Sequence, residues 1–487
     1  MSYAPIESQI SLTARNHFSE TIPSLEQTPS THSRVREKNR RNGRTKKKVV
    51  TNGSRPGRGR QINSPLSIGH SSNSYPIIVH CHLCWDWVWQ RPQQFLSRLS
   101  ARHKVLFIET IGPDPQLAAP LARVRTEEKF PNVTLLRLQF PQWRWSDSAY
   151  VDAKRRELVR DFVVSPSGRV FQQPVQWFYD PMAVTAFAGH MGEVATVYDC
   201  MDELSKFACA PPEIIARERE LLARADVVFT GGRRLWESKS RFNGNCHFYG
   251  CGVDAQHFGK ARDPAAELPA DLAAIRKPAC VAEANATLKK TRTTHGQAQR
   301  STQRTSARRR PVLGYFGVVD ERMDYELLTR LADANPSWSI AMIGPVLKVD
   351  AATLPQRGNL HWLGGKPYSD LPAYCKGFDV CLMPFALNEA TEFINPTKAL
   401  EYMATGRPIV SSAVPDVVRN FGEVVKIARS HDEFISLCRQ ALTEPDAGAV
   451  ESGLKMAGAN SWDSIVSELE NHIRAAIHAK QPAQVLS

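Results

Sequence analysis

Pro384-Phe385-Ala386-Leu387-Asn388-Glu389-Ala390-Thr391-Glu392-Phe393-Ile394-Asn395-Pro396-Thr397-Lys398-Ala399-Leu400-Glu401-Tyr402-Met403-Ala404-Thr405-Gly406-Arg407-Pro408 joins two short apolar runs, 379–385 and 408–412. Each run reads as a buried strand, and the segment from Thr397 to about Thr405 reads as a helix. Pro396 suits a helix start, because the N–H it lacks would have no partner there. Strand–helix–strand units of this kind build parallel, doubly wound α/β sheets.

The start of that helix carries the chemistry. Free N–H groups of a first helical turn make a ready anion site. Lys398 stands in this turn, where a cation opposes the helix dipole by about 0.3–1 kcal/mol, so its presence suggests a bound anion. Glu401, one turn on, can accept two hydroxyl hydrogen bonds from a ribose. The pair reads as phosphate plus sugar, hence a nucleotide. The plainer alternative is an i,i+3 ion pair worth about 0.2–0.5 kcal/mol.

The same alternation extends outward. Apolar runs at 75–80, 104–109, 132–138, 175–179, 194–199 and 225–230 predict strands of one sheet. Runs at 311–316, 338–343, 360–363, 379–385 and 408–412 predict a second. A single open sheet of that size is improbable, so two doubly wound domains are expected, with ligands in the cleft at the carboxyl ends of their strands. The expected divisions are a disordered basic arm over 1–73, a first domain over 74–258, a linker with a basic insertion over 259–310, a second domain over 311–460, and a C-terminal helix over 461–487 that can cross back to the first domain.

Charge and composition exclude several classes. The chain has 487 residues and a net charge of +13. Residues 1–63 hold 13 Lys/Arg against 4 Asp/Glu, and residues 276–310 hold 10 against 1. Each segment has an excess of +9, so the remainder is acidic and specific nucleic-acid binding is not expected. Contact of the basic arm with an anionic membrane is the sharper reading, against a solvated segment. No run is long and apolar enough to predict a membrane span, no secretory leader is legible, and ten cysteines are too few for a disulfide scaffold. A cytoplasmic protein, peripheral at the inner membrane face, is expected.

No Walker A motif, G-x-G-x-x-G, G-x-S-x-G, H-E-x-x-H or Asp-x-Asp pair occurs. No metal is therefore expected. His80-Cys81-His82-Leu83-Cys84 alone is a weak zinc signal.

Residues 311–425 resemble the nucleotide-binding half of family 4 retaining glycosyltransferases, which have the GT-B fold. The stretch 396–408 is most similar to the variant with proline, Thr-Lys and Glu-Tyr-Met-Ala-x-Gly-x-Pro. Trp85-Asp86-Trp87-Val88-Trp89-Gln90-Arg91-Pro92-Gln93-Gln94 and Tyr198-Asp199-Cys200-Met201-Asp202-Glu203 resemble a bacterial subgroup that includes teichuronic-acid-type enzymes. The resemblance implies two Rossmann-like domains, a nucleotide-diphosphate sugar as co-substrate with no other cofactor, and a glycan, lipid-linked or small-molecule acceptor. It implies Lys398 against the diphosphate and Glu401 on the ribose. Asn395 and Thr397 lie beside them as donor-binding candidates. Gly317 would let the donor approach the backbone, and Gly364-Gly365-Lys366 would read the base. The arginine that often follows the family's glycine is Val318 here, with Arg322 as a substitute at different spacing. The first Glu of the family's E-x7-E motif falls on Phe393; Glu389, or Glu392, is its stand-in near the donor sugar. On the acceptor side Trp89, Arg91 and Asp202 are candidates, and Asp199 is a catalytic candidate with Lys398 and Glu389. Stacking by the tryptophans competes with plain packing, and Asp202 with helix capping. Two other readings stay open: a non-catalytic nucleotide-binding or scaffold protein, and a nucleotide-sugar epimerase.

Overall fold

Fourteen strands make two sheets in the computed structural model, which describes residues 74–207, 210–277 and 309–480. The basic arm and nearly all of the basic insertion lie outside the described residues. The first sheet comprises β1 (Ile77–Cys81), β2 (Val105–Asp114), β3 (Leu121–Thr126), β4 (Val133–Pro141), β5 (Val175–Phe178), β6 (Ala195–Cys200), β7 (Val227–Thr230) and β8 (Cys246–Phe248), in the order β3-β4-β2-β1-β5-β6-β7-β8. Only the edge strand β3 runs antiparallel to its neighbour. The second sheet comprises β9 (Val312–Phe316), β10 (Ser339–Ile343), β11 (Leu360–Trp362), β12 (Val380–Met383), β13 (Ile409–Ser412) and β14 (Lys426–Ala428), in the order β11-β10-β9-β12-β13-β14, all parallel.

Alternating side chains send each strand's residues to opposite faces. In β1, Ile77 and Val79 enter one apolar cluster and Ile78 enters another. The helix Arg91–Leu99 covers the first face through Phe95, Leu96 and Leu99. The helices Ser148–Val164 and Ile214–Arg224 cover the second. Strand order reverses beside β1 and beside β9, so each lobe has a crevice where the strands on either side lead away in opposite directions. Those crevices hold the residues following β1, β5, β9 and β12. Both lobes belong to one compact unit.

The C-terminal helix Trp462–Lys480 does cross back. Trp462, Val466, Leu469 and Ile473 form its buried stripe and join the cluster of Ile77, Val79 and Phe95 in the first lobe. Burying such side chains stabilises by about 1.5–3 kcal/mol each. The expected linker needs correction at its start. Val253, Phe258, Ala261 and Leu272 are buried in the second lobe's core, so that lobe begins near Val253 and its first helices, Ala255–Gly259 and Ala270–Ile275, are part of it. Among the described residues no helix is long and apolar enough to cross a membrane.

Candidate active site

Strand β9 ends against Gly317, whose φ of +140° is a conformation that side-chain-bearing residues rarely adopt. A Cβ at this position would stand 2.1 Å from Lys398 Cε. The lysine side chain therefore lies directly across the glycine. On the next strand, Gly344 follows β10 with φ +151°, and a Cβ there would fall 1.8 Å from the Gly317 carbonyl oxygen. The Gly344 N–H donates to the Gly364 carbonyl beyond β11 at 2.9 Å. Three adjacent strand ends thus present bare backbone, and Lys398 lies over the first of them. Gly344 was not singled out from the sequence, although a glycine directly after an apolar run was a usable signal.

The helix Lys398–Thr405 is anchored on this floor by Tyr402, whose hydroxyl accepts from the Phe316 N–H at 3.0 Å. Burial lowers the Lys398 pKa; Glu401 and Asp320 favour its charged form and Arg322 opposes it. Among the described residues no carboxylate lies within ion-pair distance of the ammonium. Glu401 is buried, and burial pushes its carboxyl up to about 7 against the pull of Lys398. Arg322 is held on Asp320 by paired hydrogen bonds of 3.0 and 2.8 Å. Burial works against its charge, but Asp320 outweighs burial, and Asp202 of the first lobe adds to the attraction.

The opposing wall comes from the first lobe. His82, just past β1, is kept neutral mainly by burial, and it feels Asp180, Asp202 and Lys348. Lys348 belongs to the second lobe, has φ +59°, and its ammonium sits 4.3 Å over the ring of Phe207. His82, Asp202 and Phe207 therefore meet Lys348 and Arg322 across the cleft. In sequence His82 gives only a weak zinc signal, and Lys348 gives none. His80 cannot join His82 at a metal: its ring is packed between Phe178 and Phe187 and bonded to Gln176 at 2.5 Å.

Residues 310–444 match the family model described as Glycosyl transferases group 1. The match covers most of the second lobe. A Bacillus subtilis protein assigned as a teichuronic acid biosynthesis glycosyltransferase, TuaH, is 23% identical over 175 residues, 34% of this chain. The chain spans 44% of the length of that relative. Among solved structures, sucrose-phosphate synthase from Thermosynechococcus elongatus superposes with a TM-score of 0.56 at 15% identity, over 83% of this chain and 100% of that one. A trehalose-6-phosphate structure from E. coli bound with UDP-2-fluoro glucose gives 0.54 at 13%, over 84% and 99%. Both establish the two-lobed GT-B fold for this chain.

Within the second lobe, Lys398, Glu401, Gly317 and Arg322 converge, and Thr397 begins the helix beside Cys251. Other expectations need correction. The Lys366 side chain is paired with Asp271 at 2.8 Å, so in the Gly364-Gly365-Lys366 loop the backbone rather than the ammonium is left for a base. Glu389 has a side chain 76% exposed and pairs with Lys206 of the first lobe at 3.0 Å. Glu392 pairs with Arg234. Asn395 donates to the Gly231 carbonyl at 3.1 Å, so it ties the lobes together instead of facing the glycine floor.

In the first lobe, Asp199 is wholly buried and receives Arg91 Nε at 2.9 and 3.2 Å. Arg91 Nη1 bonds the Tyr249 carbonyl at 2.8 Å, and its Nη2 is buried without a hydrogen-bond partner. With Asp199 at 0% exposure, this pair is a buried strut of the first lobe. Trp89 packs on Phe130 at 5.8 Å and edge-on to Trp85 at 6.0 Å, so aromatic neighbours occupy it. Asp202 faces Arg322 of the second lobe across the cleft.

Proposed function

We propose that this chain is a glycosyltransferase that takes a sugar from a nucleoside-diphosphate donor on the second lobe and passes it to a hydroxyl presented by the first. One observation carries the reading: a desolvated lysine without a carboxylate partner lies across a glycine floor at a helix start. As the glycosyl–phosphate bond breaks, negative charge grows on the departing diphosphate. Lys398, with Arg322 nearby, is preorganised to receive it, which is oxyanion-type stabilisation. Glu401 lies one turn on, where its carboxylate can take two ribose hydroxyls. The bare backbone at Gly317 and Gly344 leaves room for the pyrophosphate. Asp202 and His82 face this site from the acceptor side.

The reaction is read as metal-independent, because two cations and a helix start supply the positive charge. It is read as retaining, with the leaving phosphate taking the acceptor proton on the same face. The acceptor is a glycan, a lipid-linked glycan or a small molecule, met in the cytoplasm or at its membrane face.

The test is binding of UDP and GDP, followed by turnover across a panel of their sugars. Lys398→Ala is expected to lower kcat by about 10²–10³. Turnover near wild type in that variant, or unaltered nucleotide binding, rejects the reading. Chelator-insensitive turnover and a product with the donor's anomeric configuration are the expected companions. Nucleotide binding without turnover on any donor would instead identify a binding protein.

A further inference from the structure

A second cavity, open to solvent, lies in the first lobe. It lies at the carboxyl ends of β1, β2 and β5, and the helices Ser148–Val164 and Ile214–Arg224 close it. Its polar wall holds His82, Thr110, Asp152, Arg155, Asp180 and Arg217.

Three polar atoms on this wall are buried without a hydrogen-bond partner: Thr110 Oγ1, His82 Nδ1 and Arg155 Nε. They come from three separate elements and converge on one space. A buried polar atom left unpaired costs about 1–3 kcal/mol, so three around one cavity point to an occupant. Arg155 makes the case strongest. Its side chain is only 8% exposed, yet its closest carboxylate contact, to Asp180, is 3.8 Å and too long for a hydrogen bond.

Charge selects the class of occupant. Arg217 is paired with Asp152 at 2.8 Å, and Arg155 stands opposite Asp180. Two cations and two carboxylates balance, and His82 is neutral through burial. An anionic ligand would meet both carboxylates. A hydroxyl both donates and accepts, so it can satisfy a guanidinium N–H, a threonine oxygen and an imidazole nitrogen together. Met182, Leu204 and Ile214 supply an apolar side to the same space, as the CH face of a pyranose ring requires.

We propose that this cavity binds an uncharged hexose ring of the acceptor through its hydroxyls, with His82 at the mouth toward the cleft. That His82 also feels Asp202 and Lys348 joins the cavity to the transfer site. The word acceptor rests on the proposed function; the ligand class rests on the cavity.

The experiment uses full-length protein and saturation-transfer NMR with titration. The probes are methyl glycosides of glucose, galactose and mannose, compared with glucuronate and glucose 6-phosphate. At least one neutral glycoside should bind. Thr110→Val and Arg155→Lys should weaken it by about tenfold, with melting temperature and nucleoside-diphosphate affinity unchanged. Failure of every neutral glycoside to bind, tighter binding of an anionic sugar, or unchanged affinity in both variants overturns the proposal. Nucleotide turnover followed on the same samples separates the two claims. Glycoside binding without turnover leaves the cavity assignment standing and removes the transferase; turnover without glycoside binding does the reverse.

Discussion

Lys398 and Gly317 act as one object. The lysine stem occupies the volume a Cβ would need, so Gly317→Ala must displace the lysine or strain the backbone at φ +140°. Strain of this kind costs about 1–3 kcal/mol. The expected outcome is a folded protein that has lost most of its nucleoside-diphosphate affinity, read by titration calorimetry; unchanged affinity would separate the glycine from the site. Glu401 gives a pH signature. Burial holds its native pKa at about 7, above its ordinary 4.5, so the native state keeps a proton that the unfolded chain has released. Its contribution to stability therefore declines as pH climbs from about 4.5 through 7. Donor binding, which in the proposed function uses the carboxylate, should strengthen over the upper part of that window. Glu401→Gln should flatten both trends and raise the donor KM. Parallel pH profiles of melting and KM check this, and a variant that keeps the wild-type slopes would remove Glu401 from the ribose role.

At the scale of elements, the helix Ser148–Val164 shows why a real element was illegible. Its buried face runs Val151, Asp152, Arg155, Val159 and Val163, and the two charges interrupt the apolar stripe that periodicity needs. They are there because this face lines a polar cavity. Strand β3 escaped notice for another reason: it is an exposed edge, with almost no apolar alternation. The C-terminal helix was legible because its stripe is unbroken. Leu469→Ala, at a fully buried position, should destabilise by about 2–5 kcal/mol in denaturant melts. Its neighbour Glu470 adds an acid-sensitive clasp. Burial alone would raise its carboxyl, but hydrogen bonds from His103, at 2.7 Å, and Arg102 outweigh burial and hold it at about 2. The native pKa is depressed, so the clasp is present above about 4.5 and is lost as pH falls toward 2. Glu470→Gln should remove that acid step.

At the scale of the whole molecule, the lobes meet through polar contacts. Lys206–Glu389 at 3.0 Å, Arg419–Glu237 at 2.6 Å and Arg234–Glu392 are all partly exposed. Such pairs are worth about 0–1 kcal/mol each and are screened by salt. Contacts this weak suit a cleft that opens and closes around a substrate. The donor KM should rise a few-fold from low to high salt, and Lys206→Ala with Arg419→Ala should reduce that dependence. A salt-independent KM would mean that closure rests on the apolar contacts instead.

The alternation of apolar runs and amphipathic stretches was enough to determine two doubly wound lobes, because side-chain period and crossover handedness are local rules. The Lys398–Glu401 spacing was enough to place a cation and a carboxylate on one helical turn. What sequence could not decide was which polar residues face a cavity and which face each other. Asp199 and Arg91 read as ligands and are a buried pair; Lys348 and Arg155 give no such sign, and His82 gives only a weak zinc one, yet they stand at the cleft or in the cavity behind it. Burial and partner distance are set by chain segments far apart in number, and only the assembled lobes bring them together.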